Sequence, residues 1–314
     1  MNVRILLVCL VLAPCARAAE RDVKQAFAVK PGCTVDVDLY RGGIVIEESD
    51  EPEVKIAVHL EIGVDTEAEA DRARASLQLE LESENNRVSV RARNPAETGL
   101  RFFWNDKYQI ALSCKITVPR ECSVVLRTGG GSILVGSLTG RVSAHTEAGI
   151  VSIRRIDGAV DASTQAGSII LSRCSGAATL KTLQGTIRVG TIGGPANLKN
   201  TTGDIEVLAA RAGITAYAEA GDVNVGYPRD FSGGSDLHTS GGSITAKIDP
   251  AASCAVQASA VWGHVQDKLP LVVKSGGSDQ RTLDGRLNEG GPLLRFHASG
   301  GDVRLMPGET YFDE

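Results

Sequence analysis

Two aspartates in the middle of this 314-residue chain have a spacing that could support chemistry. Asp204 and Asp222 each follow a glycine and are 18 residues apart. If the chain forms one layer every 18 residues, the two carboxylates lie on adjacent strands, about 5 Å apart. That distance suits a glycosidase pair or a calcium site. The alternative, which we favour, is a column of surface side chains, since the equivalent positions hold Ser132, Ser168 and Thr186.

Three histidines also recur at one position of the pattern. His145, His238 and His297 each stand four residues before a glycine, as metal ligands in a repeat would. His145 and His238 would be five layers apart, about 24 Å, which is too far for one shared metal ion. We therefore predict an ordinary solvated ladder with no metal and no cofactor. Its other members are Arg127, Ser163, Lys181, Lys199 and Tyr217.

An aromatic segment is the candidate binding site. Residues 101–108 include Phe102, Phe103, Trp104 and Tyr108, which are four of the chain's 13 aromatic residues. Aromatic rings beside arginine form binding hot spots and sugar platforms. The alternative is that these rings cover the first layer of the core. Trp262 allows the same two interpretations.

Motifs that identify common enzymes are missing from the sequence. The chain has no Gly-x-Ser-x-Gly, no Gly-x4-Gly-Lys-Ser/Thr and no His-Glu-x-x-His, which are the signatures of a nucleophile elbow, a phosphate loop and a zinc protease. Together with the surface interpretation of the aspartates, this predicts a protein that is not an enzyme and has no catalytic residues.

The first 18 residues have the pattern of a signal peptide. Arg4 precedes an apolar run over 5–13, and Ala16-Arg17-Ala18 offers a small-x-small cleavage site. The run is too short to span a bilayer, so the sequence predicts export without a transmembrane segment. An alternative is a lipobox, Leu12-Ala13-Pro14-Cys15, in which Cys15 would carry a lipid anchor.

The charge of the chain argues against one class of partner, and its cysteine count limits the disulfide bonds that it can form. A net charge of -5 and a pI near 5.7, with no basic stripe, argue against a nucleic-acid partner. Five cysteines remain after residue 18, an odd number that cannot all pair internally. We predict that Cys114 and Cys122 could bridge and that Cys174 is a buried apolar residue. The other two are Cys33 and Cys254.

A strict 18-residue repeat positions all of these side chains. It is marked by Gly131, Gly149, Gly167, Gly185, Gly203 and Gly221. The second and fourth residues after each glycine are always apolar, as in strands with one buried face. Later in each repeat a large and a small apolar residue are paired, as in Val142/Ala144 and Ala178/Leu180, and a second glycine often precedes them. A fixed short period predicts a solenoid with two strands per coil.

The region before the repeats has a different pattern. It predicts strands over 34–39, 43–47 and 54–62, a helix from Thr66 to about Ser76, and a hairpin that turns at Asn85-Asn86. The expected organisation is a signal peptide (1–18), a β-rich N-terminal cap (19–125), regular repeats (126–248) and irregular coils with a cap (249–314). We expect the last repeat, which starts at Gly300-Gly301-Asp302, to close the far end.

Three segments resemble the bacterial putative-adhesin family of exported β-solenoids. They are Arg41-Gly-Gly-Ile-Val-Ile46, Ile116-Thr-Val-Pro119, and Asn288-Glu-Gly-Gly-Pro292 followed by His297-Ala-Ser-Gly-Gly-Asp-Val-Arg-Leu305. The resemblance covers roughly residues 30–310. It implies a β-helix outside the cytoplasm and an adhesive role, and it carries over no catalytic residues.

These observations predict an all-β, single-stranded parallel β-helix. Its predicted function is a non-enzymatic, rigid surface for adhesion or protein contact at the envelope of a bacterium, in the periplasm or on the cell surface. The expected partner is an envelope protein or a glycan. The alternatives are a carbohydrate-binding or carbohydrate-active envelope protein and a lipid-anchored sensor or structural protein.

Overall fold

The computed structural model describes residues 19–63, 77–93, 109–276 and 280–308. Within these ranges the chain forms 27 strands in two sheets and no helix. The prediction of an all-β, solenoid-like fold is therefore confirmed. The helix predicted from Thr66 to about Ser76 lies outside the described residues.

The strands are short, mostly five to seven residues. In chain order they are β1 (Ala19–Ala28), β2 (Thr34–Leu39), β3 (Gly43–Ser49), β4 (Glu53–Gly63), β5 (Gln78–Glu84), β6 (Arg87–Arg93), β7 (Gln109–Pro119), β8 (Ser123–Thr128), β9 (Ile133–Val135), β10 (Val142–Ala148), β11 (Val151–Ile156), β12 (Val160–Ala166), β13 (Ile169–Cys174), β14 (Ala178–Gln184), β15 (Ile187–Ile192), β16 (Ala196–Thr202), β17 (Ile205–Ala210), β18 (Ile214–Ala220), β19 (Val223–Tyr227), β20 (Ser235–Thr239), β21 (Ile244–Ile248), β22 (Cys254–Ala260), β23 (Val265–Asp267), β24 (Val272–Gly276), β25 (Thr282–Leu287), β26 (Leu293–Ala298) and β27 (Val303–Pro307).

From β8 to β22 the chain alternates between the two sheets. Sheet A has the order β1-β4-β7-β3-β9-β11-β13-β15-β17-β19-β21-β27-β23, and sheet B has the order β24-β25-β22-β26-β20-β18-β16-β14-β12-β10-β8-β2-β6-β5. Each strand from β8 to β19 pairs in parallel with the strand two further along the chain. The register places Val142 opposite Val160 and Val151 opposite Ile169.

The apolar columns of the repeat form the core between the sheets. The second and fourth residues after each glycine, from Ile133 and Val135 to Val223 and Val225, are all buried. The large-small pairs of sheet B, such as Val142/Ala144, are buried as well, and so is Cys174. These predictions of inward-facing residues are confirmed. Because the larger member changes side along the stack, the interior stays filled without overpacking.

The repeating glycines lie where the chain turns from sheet B into sheet A. Gly131, Gly149, Gly167, Gly185, Gly203 and Gly221 all have positive φ, between 119° and 152°. A Cβ on any of them would lie 2.0–2.3 Å from a glycine carbonyl oxygen of the preceding layer. Both the backbone conformation and the space therefore require glycine at this corner.

Antiparallel strands occur near both ends of the stack. At one end β1, β4 and β7 pair in antiparallel fashion, and β5 and β6 form the predicted hairpin, with positive φ at Asn85 and Asn86. The strands predicted over 34–39, 43–47 and 54–62 are confirmed as β2, β3 and β4. Since β2 and β3 pair in parallel with β8 and β9, this region continues the same two sheets.

The prediction that the last repeat closes the far end is wrong. β26 lies between β20 and β22 in sheet B, and β27 lies between β21 and β23 in sheet A. The chain first builds the outer strands β22–β25 and then returns to fill the layer next to β20 and β21. The pattern of the repeat is local, so it predicts the strand but not its position in the stack.

Candidate functional site

A continuous row of outward side chains crosses sheet B, and we call it the outer ladder. Each member stands directly opposite the next in the strand register, over eleven adjacent strands. None of the side chains is buried. In spatial order the members are Arg91, Asp38, Arg127, His145, Ser163, Lys181, Lys199, Tyr217, His238, His297 and Ser259. The predicted solvated ladder is therefore present and longer than the repeats alone indicated.

Serines hold the histidines of the outer ladder in place. The His145 ring lies between two hydroxyls, with Nε2 2.9 Å from Ser143 Oγ and Nδ1 2.7 Å from Ser163 Oγ. His297 Nδ1 is 2.8 Å from Ser259 Oγ. Because Ser163 and Ser259 lie on strands next to those of His145 and His297, the ladder presents its polar groups at a spacing set by the sheet.

Three rings of the outer ladder form a stack. The centroids of Tyr217 and His238 are 5.2 Å apart with the rings 5° from parallel, and His238 and His297 are 5.0 Å apart at 15°. Lys199 Nζ lies 5.8 Å from the centroid of Tyr217. Partial burial and the neighbouring His297 lower the pKa of His238, while Asp236 acts in the opposite direction. The stack therefore favours a neutral His238.

A shallow groove of about 730 Å³ follows the first half of the outer ladder. It crosses β2, β8, β10, β12 and β14, and its lining includes Arg127, His145, Ser163 and Lys181. Asp38 and Glu147 add negative charge to the two cations, and Leu183 is 52% exposed at its edge. A groove with mixed charge, hydroxyl groups and one apolar contact suits an extended polar ligand better than a densely charged one.

The two candidate aspartates hydrogen-bond to backbone. Asp204 Oδ1 accepts the backbone N–H of Asp222 at 2.8 Å, and Asp222 Oδ1 accepts that of Ser243 at 2.8 Å. Asp302 Oδ1 accepts the N–H of His264 at 3.0 Å in the same way. These carboxylates occupy the predicted surface column, and each satisfies an amide of the next layer that the sheet leaves unpaired.

A second polar column is buried, and its role was not predicted from the sequence. Thr146 Oγ1 donates to the carbonyl of Gly131 at 2.9 Å, and Thr182 Oγ1 donates to that of Gly167 at 2.9 Å. Asn200 Nδ2 replaces the hydroxyl and donates to Gly185 at 2.7 Å. The signal was present, because threonine recurs three residues before most of the repeating glycines. The remaining members are Thr128, Thr164 and Thr239.

Two of the candidate sites, the aromatic segment and the lipobox, lie outside the part of the chain that the structure describes. Phe102, Phe103, Trp104 and Tyr108 lie outside the described residues, as does Cys15. Trp262 is described and is 81% exposed, so its ring is a surface group. His145 stands apart from the other two histidines, whereas His238 and His297 become neighbours. Among the described residues no group of three or more His, Cys, Asp or Glu side chains is arranged to hold a metal ion.

Comparison with known families identifies the class to which this fold belongs. The family model described as Toastrack DUF4097 matches residues 43–305, which is most of the chain. The chain therefore belongs to the Toastrack DUF4097 family, a family of unknown function, and its predicted resemblance to the bacterial putative-adhesin family is confirmed. None of the curated proteins matches the chain.

Several solved bacterial structures are similar to this chain at low identity. A putative adhesin from Bacteroides fragilis is 15% identical over 91% of this chain and 97% of its own, with a TM-score of 0.40. A putative lipid binding protein from Parabacteroides distasonis is 11% identical over 90% and 96%, with a TM-score of 0.41. A putative adhesin from the same organism is 11% identical over 90% and 97%, with a TM-score of 0.32.

In the four described ranges no helix is both long and apolar enough to cross a bilayer.

Proposed function

We propose that this protein is a non-enzymatic, exported β-solenoid of 18-residue coils whose surface mediates adhesion or protein contact at the cell envelope. The outer ladder is the observation that carries the proposal. It offers side chains for hydrogen bonds, charge and stacking on eleven adjacent strands. A partner with an extended shape would meet one polar group at each strand, at intervals of about 4.8 Å.

The backbone around the ladder supports its use as a rigid surface. Buried threonines connect most of the corners to the glycine carbonyl of the preceding layer, as Thr146 does to Gly131. The aspartates and serines tie the adjacent amides, as Asp204 does to Asp222. A binding surface that is ordered before binding loses little conformational entropy when a partner arrives.

The proposal of a non-enzyme is supported by what the candidate catalytic groups do. Asp204 and Asp222 each accept a backbone hydrogen bond from the next layer, which fixes each carboxylate in a structural role. His145 lies five strands of sheet B away from His238. The carbohydrate-active alternative would have to use the two acids that line the groove, Asp38 and Glu147.

The location proposed for the protein comes from its N-terminal sequence. Residues 1–18 have the signal-peptide pattern, and a lipid anchor at Cys15 is the alternative. Either version directs the chain out of the cytoplasm, to the periplasm or the cell surface. We propose an envelope protein or a glycan as the partner, and no nucleic acid.

The groove favours a carbohydrate-binding version of this function as the second candidate. Sugar hydroxyls pair well with Ser163 and His145, and Leu183 can cover the apolar face of a ring. Purified residues 19–314 should therefore be tested on a glycan array and in pull-downs from envelope extracts. The test variant is His145→Ala/Lys181→Ala, and the matched control is Ser152→Ala/Arg154→Ala on the outer side of sheet A.

The outcomes distinguish between the two candidate binding surfaces and between binding and catalysis. Loss of binding of at least tenfold in the groove variant alone would support the outer ladder as the contact surface. Loss confined to Phe102→Ala/Phe103→Ala/Trp104→Ala, with unchanged thermal stability, would move the site to the aromatic segment. Glycan cleavage would contradict the non-enzymatic proposal, and equal binding by all variants would contradict both surfaces.

A further inference from the structure

Two buried cysteines lie side by side at the start of neighbouring strands. Cys33 directly precedes β2 and Cys122 directly precedes β8, and the next residues, Thr34 and Ser123, are paired in the parallel register. The N–H of Ser123 donates to the carbonyl of Cys33 at 2.9 Å. Both side chains are completely buried. They therefore point into the same layer of the core from adjacent strands.

The two thiols are in contact with one another. A hydrogen bond from Cys122 lowers the pKa of the Cys33 thiol, and the backbone N–H of Cys33 acts in the same direction. The same hydrogen bond, together with burial, raises the pKa of Cys122.

The remaining cysteines have other surroundings. Cys114 lies in sheet A opposite Ile44 and Val58, and burial raises its pKa to about 12. Cys174 donates to the carbonyl of Gly158 at 3.2 Å. Burial raises the pKa of Cys254 to about 11. The five cysteines in the described part of the chain are all free thiols, so the bridge predicted between Cys114 and Cys122 is not formed.

We propose that Cys33 and Cys122 form a disulfide bond when the chain folds in the presence of a disulfide oxidant, and that this pair is preferred over Cys114 and Cys122. The thiolate of one of the two cysteines attacks the oxidant disulfide and releases one thiol. The thiolate of the other then attacks the mixed disulfide and releases the second. Two protein thiols lose two protons and two electrons, and the oxidant is reduced to two thiols.

Geometry permits this bond with little movement. Residues opposite each other in neighbouring parallel strands have Cα atoms about 4.8 Å apart, which falls within the range found for disulfides. Complete burial of both sulfurs means that oxidation must take place before the core closes. The bond would join β2 to β8, which are far apart in sequence. It would therefore reduce the conformational entropy of the unfolded chain and stabilise the fold.

The test is oxidative refolding of the full chain from residue 19. Reduced, denatured protein is refolded in glutathione with its disulfide, blocked with an alkylating reagent and digested without reduction. Mass spectrometry should find a Cys33–Cys122 cross-link in most of the protein. Oxidised protein should unfold about 5–10 °C above the same sample treated with reductant.

Cysteine variants test which two cysteines form the disulfide bond. Cys114→Ala should keep the cross-link and the difference in melting temperature, whereas Cys33→Ala should abolish both and leave Cys122 open to alkylation on unfolding. A Cys114–Cys122 cross-link in the unmodified sequence would overturn the proposal. So would five alkylated cysteines after refolding to native structure. The result does not depend on the proposed contact function.

Discussion

In most layers a buried threonine hydroxyl compensates for the conformation that glycine imposes at the corner. The turn from sheet B to sheet A directs a glycine carbonyl toward the interior, where no strand can pair with it. Thr164 Oγ1 donates to the carbonyl of Gly149 at 3.1 Å, and Thr239 Oγ1 donates to that of Gly221 at 2.7 Å. The recurrence of threonine is thus a consequence of the recurrence of glycine.

Replacing one of these threonines tests that relation. Thr164→Val keeps the shape of the side chain but leaves the Gly149 carbonyl without a partner, so we expect a loss of about 1–3 kcal/mol in the free energy of unfolding. The measurement is urea denaturation. Thr179→Val, on the outer side of the neighbouring strand β14, serves as the control and should change stability by less than about 0.5 kcal/mol. Equal effects would contradict a role for the buried hydrogen bond.

The corner glycines make a second prediction. Gly167 has φ of 152°, and an added Cβ would lie 2.0 Å from the carbonyl oxygen of Gly149. We expect Gly167→Ala to destabilise the fold by more than about 3 kcal/mol, because strained backbone and a backbone clash combine. At Gly32 φ is also positive, 75°, but no atom lies within 4 Å of the added Cβ.

Gly32→Ala therefore isolates the cost of the backbone conformation, which should be about 1–2 kcal/mol. Denaturation of both variants gives the comparison. If Gly32→Ala proved as harmful as Gly167→Ala, the close approach of successive layers would not be what requires glycine at the corner.

At the scale of whole strands, the ring stack across β18, β20 and β26 gives a pH dependence. Groups facing His238 are Tyr217, His297, Asp236 and Ser240. Its folded pKa is lowered from 6.5, so the unfolded chain binds more protons in this range. The contribution to stability is complete above pH 6.5 and is lost as the pH falls through the folded pKa.

Nuclear magnetic resonance of the imidazole protons measures this directly. We expect His238 to titrate below pH 6.5 and to shift upward in His297→Gln, because that variant removes the neighbouring imidazolium charge. His264→Gln, which is outside the stack, should leave the titration of His238 unchanged. A titration of His238 at or above pH 6.5 in the unmodified protein would contradict the lowered pKa.

The contrast between local and long-range features explains how far the sequence could predict this fold. The period of glycine and apolar residues identified the inward columns, because neighbouring layers repeat the same local pattern. It also indicated the outer ladder through His145 and Tyr217. It could not indicate that His297 lies beside His238, since 59 residues separate them and β22–β25 intervene. The hydrogen bonds of Asp204 and Asp222 could not be predicted, because they depend on the backbone geometry at the corner, which the composition does not reveal.

For the whole molecule, the position of the C-terminal strands is the most consequential feature. β26 pairs with both β20 and β22, and β27 pairs with both β21 and β23. Leu294, Phe296 and Leu305 are buried, and the Phe296 ring lies 6.4 Å from that of Tyr227. The last two described strands, β26 and β27, therefore form an internal layer of the stack.

We predict that a chain ending at residue 291 loses the ordered structure of β22–β25 but keeps that of β10–β15. Without β26 and β27, the strands β22, β23 and β25 have no sheet to join, and β20 and β21 become edges. Hydrogen exchange should show lost protection over β22–β25 and weaker protection in β20 and β21. Protection in β10–β15 should remain, because each layer of a solenoid contacts only its neighbours. A chain ending at Gly308 is the control and should match the full protein. Uniform loss of protection would instead mean that the two sheets fold as a single cooperative unit.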